Sequence, residues 1–334
     1  MKAAQITKYS KNFKASVNDI AIPTIKDDEI LVRVKSAAVN PLEMLIMSGS
    51  VRLIQDYSFP LTIGNEIAGV VDRVGRKVTQ FKPADNIYGR LPIKKIGGIA
   101  EYVAVKAGEV SRMPKNLTFQ QAAAAALTGL TAYQALHEEL QAEAGKTLFI
   151  PGGSGSFGQM AIPVAKNMGL RVIVSGNAAA KERTLAIGAD EYFDYKKVNY
   201  WEQLRDIDYV IDTLGQAAFS HELSILRHGG KLVSLKSGPN RRFAREHKLP
   251  LWKQLLFGLV GARLDSQAKK QAVEYHFVFV RSDGPQLQKI TEIIEAANIM
   301  PAVDPRQFTI ENINAALDLV ANGRLKGKVL IQFP

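Results

Sequence analysis

An α/β fold is what the sequence predicts: a β-rich N-terminal part followed by a doubly wound parallel sheet of six strands. Three observations carry that prediction. Residues 1 to about 115 read as short strands broken by turns, with no sustained helical period. From Lys146 onward, short apolar runs alternate with helical stretches, the pattern of a buried parallel sheet with helical crossovers. A glycine-rich turn, residues 152–158, joins the first of those runs to the first of those helices.

In the N-terminal part, Glu29–Val39 (EILVRVKSAAV) alternates well enough for a strand, and 66–74 and 98–105 look similar. Residues 120–141 read as a helix, favoured by an alanine run. Strands are then expected at 147–151, 171–175, 191–194, 209–213, 231–235 and 276–281. Helices are expected between them at 156–168, 178–187, 200–205, 217–227 and 249–272. Pro163 falls inside the first of these and is expected to bend it. A helix at 286–297, another at 311–322 and a strand at 328–333 complete the pattern. No Gly/Ser/Pro spacer separates the two styles of sequence.

Composition removes several kinds of chemistry. The 334 residues include no cysteine, which excludes disulfides, thiolate metal sites, iron–sulfur clusters and a cysteine nucleophile. The five histidines (137, 221, 228, 247, 276) show no ligand spacing, and Asp27-Asp28-Glu29 reads as a turn. No stretch approaches the roughly 20 apolar residues of a membrane span. The start of the chain has no signal-peptide core, so a cytoplasmic protein is expected. The formal charge is +11, and residues 236–275 hold nine Lys or Arg against three acids. A solvated helical face, nucleic acid, an acidic membrane surface or an anionic cofactor could each account for that excess.

Gly153, Gly155 and Gly158 satisfy a G-x-G-x-x-G spacing between a strand and a helix. In this pattern the first glycine permits the tight turn, the second lets a pyrophosphate approach the backbone, and the third lets helix and strand pack closely. The free N–H groups of the helix N-terminus then face the phosphates. A Walker-type loop is excluded because Gln159, not Lys, follows Gly158. The second strand ends in Val174-Ser175-Gly176-Asn177, with no acid before Glu182 to hold a ribose 2′-hydroxyl. With Lys181 and Arg183 close by, that end suits a 2′-phosphate and hence NADP.

Several blocks, in order, resemble the medium-chain dehydrogenase/reductase superfamily in its zinc-free quinone oxidoreductase-like branch. They are Val39-Asn40-Pro41-Leu42-Glu43 with Gly49, Pro60-Leu61-Thr62-Ile63-Gly64-Asn65-Glu66-Ile67-Ala68-Gly69-Val70-Val71, and Gly97-Gly98-Ile99-Ala100-Glu101-Tyr102-Val103. Further along come Leu127-Thr128-Gly129-Leu130-Thr131-Ala132-Tyr133, Gly188-Ala189-Asp190 with Tyr195, Asp212-Thr213-Leu214-Gly215, and Gly327-Lys328-Val329. The resemblance implies a GroES-like β-rich catalytic domain, residues 1–120 with 300–334, and a Rossmann NADP-binding domain, residues 121–299. Asn40 and Asn65 stand where zinc-dependent members carry Cys and His, so no metal is implied. Without that Lewis acid, a quinone or α,β-unsaturated carbonyl is the expected hydride acceptor.

By the same resemblance, Asn40 and Thr131 are the catalytic residues beside the nicotinamide. Gly153, Ser154, Gly155, Ser156, Phe157 and Gly158 hold the pyrophosphate, and Ser175, Gly176, Asn177, Lys181 and Tyr195 surround the adenosine phosphate. Phe277 and Val278 pass the carboxamide edge, and Lys328 reaches the cofactor from the C-terminal segment. Leu45 and Val51 stand where relatives often carry tyrosines, with Tyr57 as a substitute, so no side-chain proton donor is named. A homodimer acting on a small-molecule quinone or enone is expected. Nucleic-acid or membrane contact is not, because the basic residues lack aromatic interleaving. The apolar run 249–260 inside the basic segment is expected to cap the active-site cleft, with a dimer contact second. The alternative is a non-catalytic, NADPH-bound binding protein that uses its basic face on RNA or a membrane.

Overall fold

The computed structural model describes all 334 residues. The N-terminal part forms short antiparallel strands: β1 (Lys2–Ile6), β2 (Ser16–Asp19), β3 (Glu29–Val39), β4 (Leu61–Thr62), β5 (Glu66–Val74), β6 (Asn86–Arg90), β7 (Tyr102–Lys106) and β8 (Ser111–Arg112). Helix α1 (Pro41–Met47) lies between β3 and β4, and α2 (Phe119–Gln134) follows β8. The sequence alternates in β3, yet only Arg33 is exposed along it. The strand is central, pairing with β5 and β7, so both faces need apolar cover. Strands β1, β2, β4, β6 and β8 are additions to the expected set, being too short to show a period. Helix α2 stops at Gln134 rather than 141, and a π-helical turn, Ala135–Glu139, takes over.

From Lys146 the alternation is realised as β9 (Thr147–Ile150), α3 (Ser156–Asn167), β10 (Arg171–Gly176), α4 (Lys181–Ala186), β11 (Glu191–Asp194), α5 (Tyr200–Gln203), β12 (Ile207–Asp212), α6 (Phe219–Ser224), β13 (Leu226–Ser234), α7 (Arg241–Glu246), α8 (Leu251–Lys270) and β14 (Glu274–Phe277). The six strands are parallel in the order β11-β10-β9-β12-β13-β14, the doubly wound sheet that the sequence predicts. Helix α3 runs on through Pro163, which is buried. Strand β13 starts earlier than expected, at Leu226, because residues 227–230 are absorbed as an irregularity between the Ile207–Leu226 and Tyr209–Lys231 pairs. Helix α7 is a further addition to the expected set. An asparagine starts it: the Asn240 side chain caps it by accepting the Phe243 N–H at 3.0 Å.

The chain then adds α9 (Gly284–Ala296), α10 (Ile313–Asn322) and β15 (Val329–Gln332). β15 pairs antiparallel with β3, and the Tyr88 hydroxyl of β6 bonds the Leu287 carbonyl of α9 at 3.0 Å. Two units result: Met1–Leu130 with Arg281–Pro334, and Thr131–Val280. In the first, one core gathers Ile30, Val32, Ile67 and Ile87 with Ile313, Leu317, Val329 and Ile331. In the second, Phe149, Val210, Leu232, Phe219 and Leu264 form the core on one side of the parallel sheet.

Candidate active site

In the first unit, strand register brings distant polar residues to one point. β3 ends at Val39 and α1 begins at Pro41, which leaves Asn40 as the N-cap of that helix. Val329 pairs with Val39 and Ala38 with Glu66, so Lys328 and Glu66 both reach Asn40. The Lys328 Nζ donates to Asn40 Oδ1 at 2.6 Å and to Glu66 Oε2 at 3.1 Å. Asn40 Nδ2 donates to the same Glu66 oxygen at 3.2 Å, and Glu66 Oε1 accepts the Leu127 N–H at 2.6 Å. All three side chains are buried.

A second carboxyl stands behind them. Glu43, at the third position of α1, accepts the Asn40 N–H at 2.6 Å through Oε2. Its Oε1 accepts the backbone N–H and side-chain amide of Asn65, at 3.0 and 2.7 Å. Burial nevertheless pushes this carboxyl up to about 7. Arg90 is also fully buried; its Nη1 donates to the Leu91 carbonyl, and its Nε has no partner. Burial lowers the guanidinium to about 10, which leaves it cationic at neutral pH. Two carboxyls, Glu43 and Glu66, and two cations, Lys328 and Arg90, are thus buried in this unit. Tyr57 donates its hydroxyl to the Ile93 carbonyl at 2.8 Å, and Leu45 is exposed.

In the second unit, the residues expected at a dinucleotide lie at the C-terminal ends of the parallel strands. The left-handed step of the turn falls on Gly152 (φ +65°), one residue before the glycine expected to make it. Gly153 instead abuts Ile150, where a Cβ would lie 2.7 Å from Ile150 Cγ2. A Cβ on Gly158 would lie 1.7 Å from the Gly153 carbonyl oxygen, whereas Gly155 has open space above it. Ser156 starts α3, with Phe157 half-buried beside it. The Ser175 hydroxyl accepts the Gly152 N–H at 3.2 Å.

At the end of β10, a Cβ on Gly176 would meet the Tyr192 hydroxyl at 2.2 Å and Ser154 Oγ at 2.4 Å. Tyr192 donates to the Asn177 carbonyl at 2.6 Å, and Arg183 donates to the Ser154 carbonyl at 3.0 Å. The Tyr195 N–H bonds the Gly176 carbonyl while its ring stays exposed, and Lys181 is exposed at the start of α4. Tyr192 is outside the expected set, having no motif to mark it. Thr131 is half-buried on α2. Phe277 turns its ring edge-on to Phe243 at 5.6 Å, and the Val278 N–H bonds the Ser234 carbonyl.

Asp212, at the end of β12, ties this rim together. Its Oδ1 accepts the N–H groups of Leu214 and Gly215, and its Oδ2 accepts the hydroxyls of Ser234 and Ser237. Beside it, Glu222 of α6 is fully buried with no partner on either oxygen. Burial first, and the Asp212 charge second, push this carboxyl up to about 9. The raised value means that the folded protein holds a proton which the unfolded chain releases above its ordinary 4.5. Stability from this group is therefore full below about 4.5 and is lost as pH rises toward 9. Glu222→Gln should stabilise the protein at pH 8 by about 2 kcal/mol or more: each tenfold change in proton affinity is worth about 1.36 kcal/mol, less the cost of a buried amide. It should change little at pH 4.5. Urea denaturation at both pH values checks this, and an equal effect at the two would refute it.

A doubly wound parallel sheet carrying a glycine turn, joined in one chain to a β-rich unit with a buried polar cluster, defines a dehydrogenase/reductase class of protein. Residues 26–115 match the family model of the alcohol dehydrogenase GroES-like domain, and residues 187–331 match that of zinc-binding dehydrogenase. Mouse NAD(P)H oxidoreductase RTN4IP1, mitochondrial, is 30% identical over 357 residues, covering 99% of this chain and 89% of its own. The 2-methylene-furan-3-one reductase of Solanum lycopersicum is 29% identical over 344 residues, covering 99% and 79%. The crystal structure of Escherichia coli quinone oxidoreductase complexed with NADPH superposes with a TM-score of 0.78 at 19% identity, covering 100% of both chains. The chain belongs to the medium-chain dehydrogenase/reductase superfamily, in its zinc-free quinone oxidoreductase-like branch, and is an oxidoreductase.

Zinc does not fit the residues present. The two positions that would supply thiolate and imidazole hold the amides Asn40 and Asn65, and a lysine ammonium stands 2.6 Å from Asn40 Oδ1. A second cation there would face that charge at close range.

Proposed function

We propose that this protein is an NADPH-dependent, zinc-independent oxidoreductase that delivers hydride to a quinone or an α,β-unsaturated carbonyl. The observation that supports it most is the Asn40–Glu66–Lys328 cluster, which puts an internal cation beside the position of a catalytic metal. An acceptor already activated by conjugation needs orientation and a hydrogen-bond donor rather than a Lewis acid. Lys328 on Oδ1 and Glu66 on Nδ2 fix the Asn40 amide, leaving its second Nδ2 hydrogen as a donor. We assign that donor to the acceptor oxygen as it gains charge, take Thr131 as the second catalytic residue, and assign the proton to water.

The bound dinucleotide supplies the hydride. Residues 153–158 would hold its pyrophosphate: Gly155 leaves the backbone open, and α3 presents free N–H groups. Ser175, Gly176, Asn177, Lys181 and Tyr195 would take the adenosine phosphate. No acid stands on β10's end to repel a 2′-phosphate, and two cations, Lys181 and Arg183, follow it. Phe277 and Val278 would line the carboxamide. Lys328 serves this reading by holding the Asn40 amide. Residues 1–120 with 300–334 then act as the catalytic domain and 121–299 as the dinucleotide domain, in a cytoplasmic homodimer.

The test is NADPH consumption against a panel of quinones and enals, with NADH and EDTA arms. NADPH oxidation with at least one class, slower with NADH and unchanged by EDTA, is expected. Lys181→Ala should raise KM for NADPH about tenfold or more, since a charged hydrogen bond contributes roughly 1.5–3 kcal/mol, and leave that for NADH unmoved. Preference for NADH, or loss of activity in EDTA, would sink the proposal.

A further inference from the structure

Helix α8 is apolar on two opposite sides. On one side it buries Leu264 and Ala268 in the sheet's core, and Phe257 and Gly261 against Phe243 of α7 and its N-cap Asn240. At 3.6 residues per turn, Leu251, Leu255 and Leu259 stack on the opposite side with Trp252 beside them. That row is open: Leu251 and Leu259 are 78% exposed, Leu255 61% and Trp252 58%. Large apolar side chains grouped in this way mark a surface that something covers.

The borders of the row are cationic. Arg241 of α7 runs along α8 at Gly258, where a Cβ would lie 3.5 Å from its side chain. Arg263 lies one turn beyond Leu259, and the Lys253 ammonium sits 5.4 Å from the centre of the Trp252 ring. Arg242 is neutralised by Glu246 and Glu274, but Arg241, Arg245, Lys248, Lys253 and Arg263 enter no ion pair. An open hollow of about 500 Å³ is lined by Arg241, Arg242, Arg245 and Glu246.

We infer that α7 and α8 form a docking surface for an anionic lipid bilayer. The leucine row and Trp252 enter the boundary between headgroups and acyl chains, and the unpaired cations meet the headgroups. Charge selects this occupant. Residues 236–275 carry a net +6 of the chain's +11, so a second copy placed on the same row would bring two cationic borders together. An anionic surface neutralises them instead. The sequence argued against membrane contact because basic and aromatic residues do not interleave; the helical fold sorts them into a row and its borders. No helix is long and apolar enough to cross a membrane, so α8 lies on the surface rather than spanning it.

The experiment uses the full chain in a Trp201→Phe background, which leaves Trp252 as the one tryptophan of the original two. Flotation with phosphatidylcholine vesicles is compared with flotation on vesicles that also contain phosphatidylglycerol. The protein should float only with the anionic vesicles, and Trp252 emission should shift to the blue. L255D/L259D should abolish both with an unchanged thermal melt, and R241E/R245E should weaken binding about tenfold or more. Should the aspartates disturb the melt, L255S/L259S replaces them with the same expected loss. Absence of flotation on anionic vesicles, or flotation that survives L255D/L259D, would overturn the inference. So would a dimer that L255D dissociates without any vesicle binding, which would assign the row to a second copy.

Discussion

Lys328→Met should cost about 3–5 kcal/mol of stability at neutral pH, the usual penalty for leaving one member of a buried ion pair alone. Met fills the space of the lysine stem but supplies no charge, so Glu66 keeps only the Asn40 amide and the Leu127 N–H as partners. Because the ammonium also holds Asn40 Oδ1, the amide is released to rotate, and turnover should fall about a hundredfold from misplacement of the donor. The double variant K328M/E66Q should recover much of the stability and little of the activity, which separates charge balance from positioning. Urea denaturation of the set measures the first effect and kcat/KM the second. A K328M protein within about 0.5 kcal/mol of the parent would mean that Glu66 is content without its cation.

Gly158→Ala should be the most damaging change in the dinucleotide turn. Its Cβ would lie 1.7 Å from the Gly153 carbonyl oxygen, and backbone cannot swing aside as a long side chain does. The turn has to open, at about 3 kcal/mol, and NADPH binding should be lost with it. Gly155→Ala is the contrasting case. Gly155 has φ −89° and open space, so alanine fits and stability should hold within about 0.5 kcal/mol. The added methyl would still occupy the approach to the backbone, and NADPH affinity should drop at least about tenfold. Titration by fluorescence, paired with thermal melts, distinguishes the two variants. Equal behaviour of G155A and G158A would contradict the division of labour in the turn.

The doubly wound sheet was legible because buried parallel strands are short apolar runs, and six of them stand between helical stretches. The edges of that reading failed where pairing, rather than propensity, sets the boundary. β13 runs back to Leu226 through Arg227, His228 and two glycines because Ile207 offers it a partner, a fact no local window contains. The first unit was harder, since β1, β2, β4, β6 and β8 have two to five residues each and show no period. In the candidate site, Asn40, Lys328 and the glycine turn could be named from motifs. The partnership of Asn40 with Lys328 could not, because it depends on the register of β15 against β3. Glu43 was within reach: N-P-L-E has proline at the first helical position and Glu at the third, the signature of a helix start whose acid reaches back to the N-cap N–H. Arg90 had no such marker, and its burial is a tertiary fact.

The contact between Asn40 and Lys328 spans 288 residues of chain, and it sets a timetable for synthesis. At about 5–20 residues per second, a ribosome delivers β3 roughly 15–60 s before its neighbour β15. Throughout that interval the whole of the nucleotide-binding sheet is being made. The newborn β3 has an open edge on the side that β15 will take, and Glu66 has no counter-ion. The nucleotide-binding unit, being continuous, can fold while the chain is still growing. The unit that begins first therefore finishes last, and in a cell it is the part with most need of a chaperone's protection.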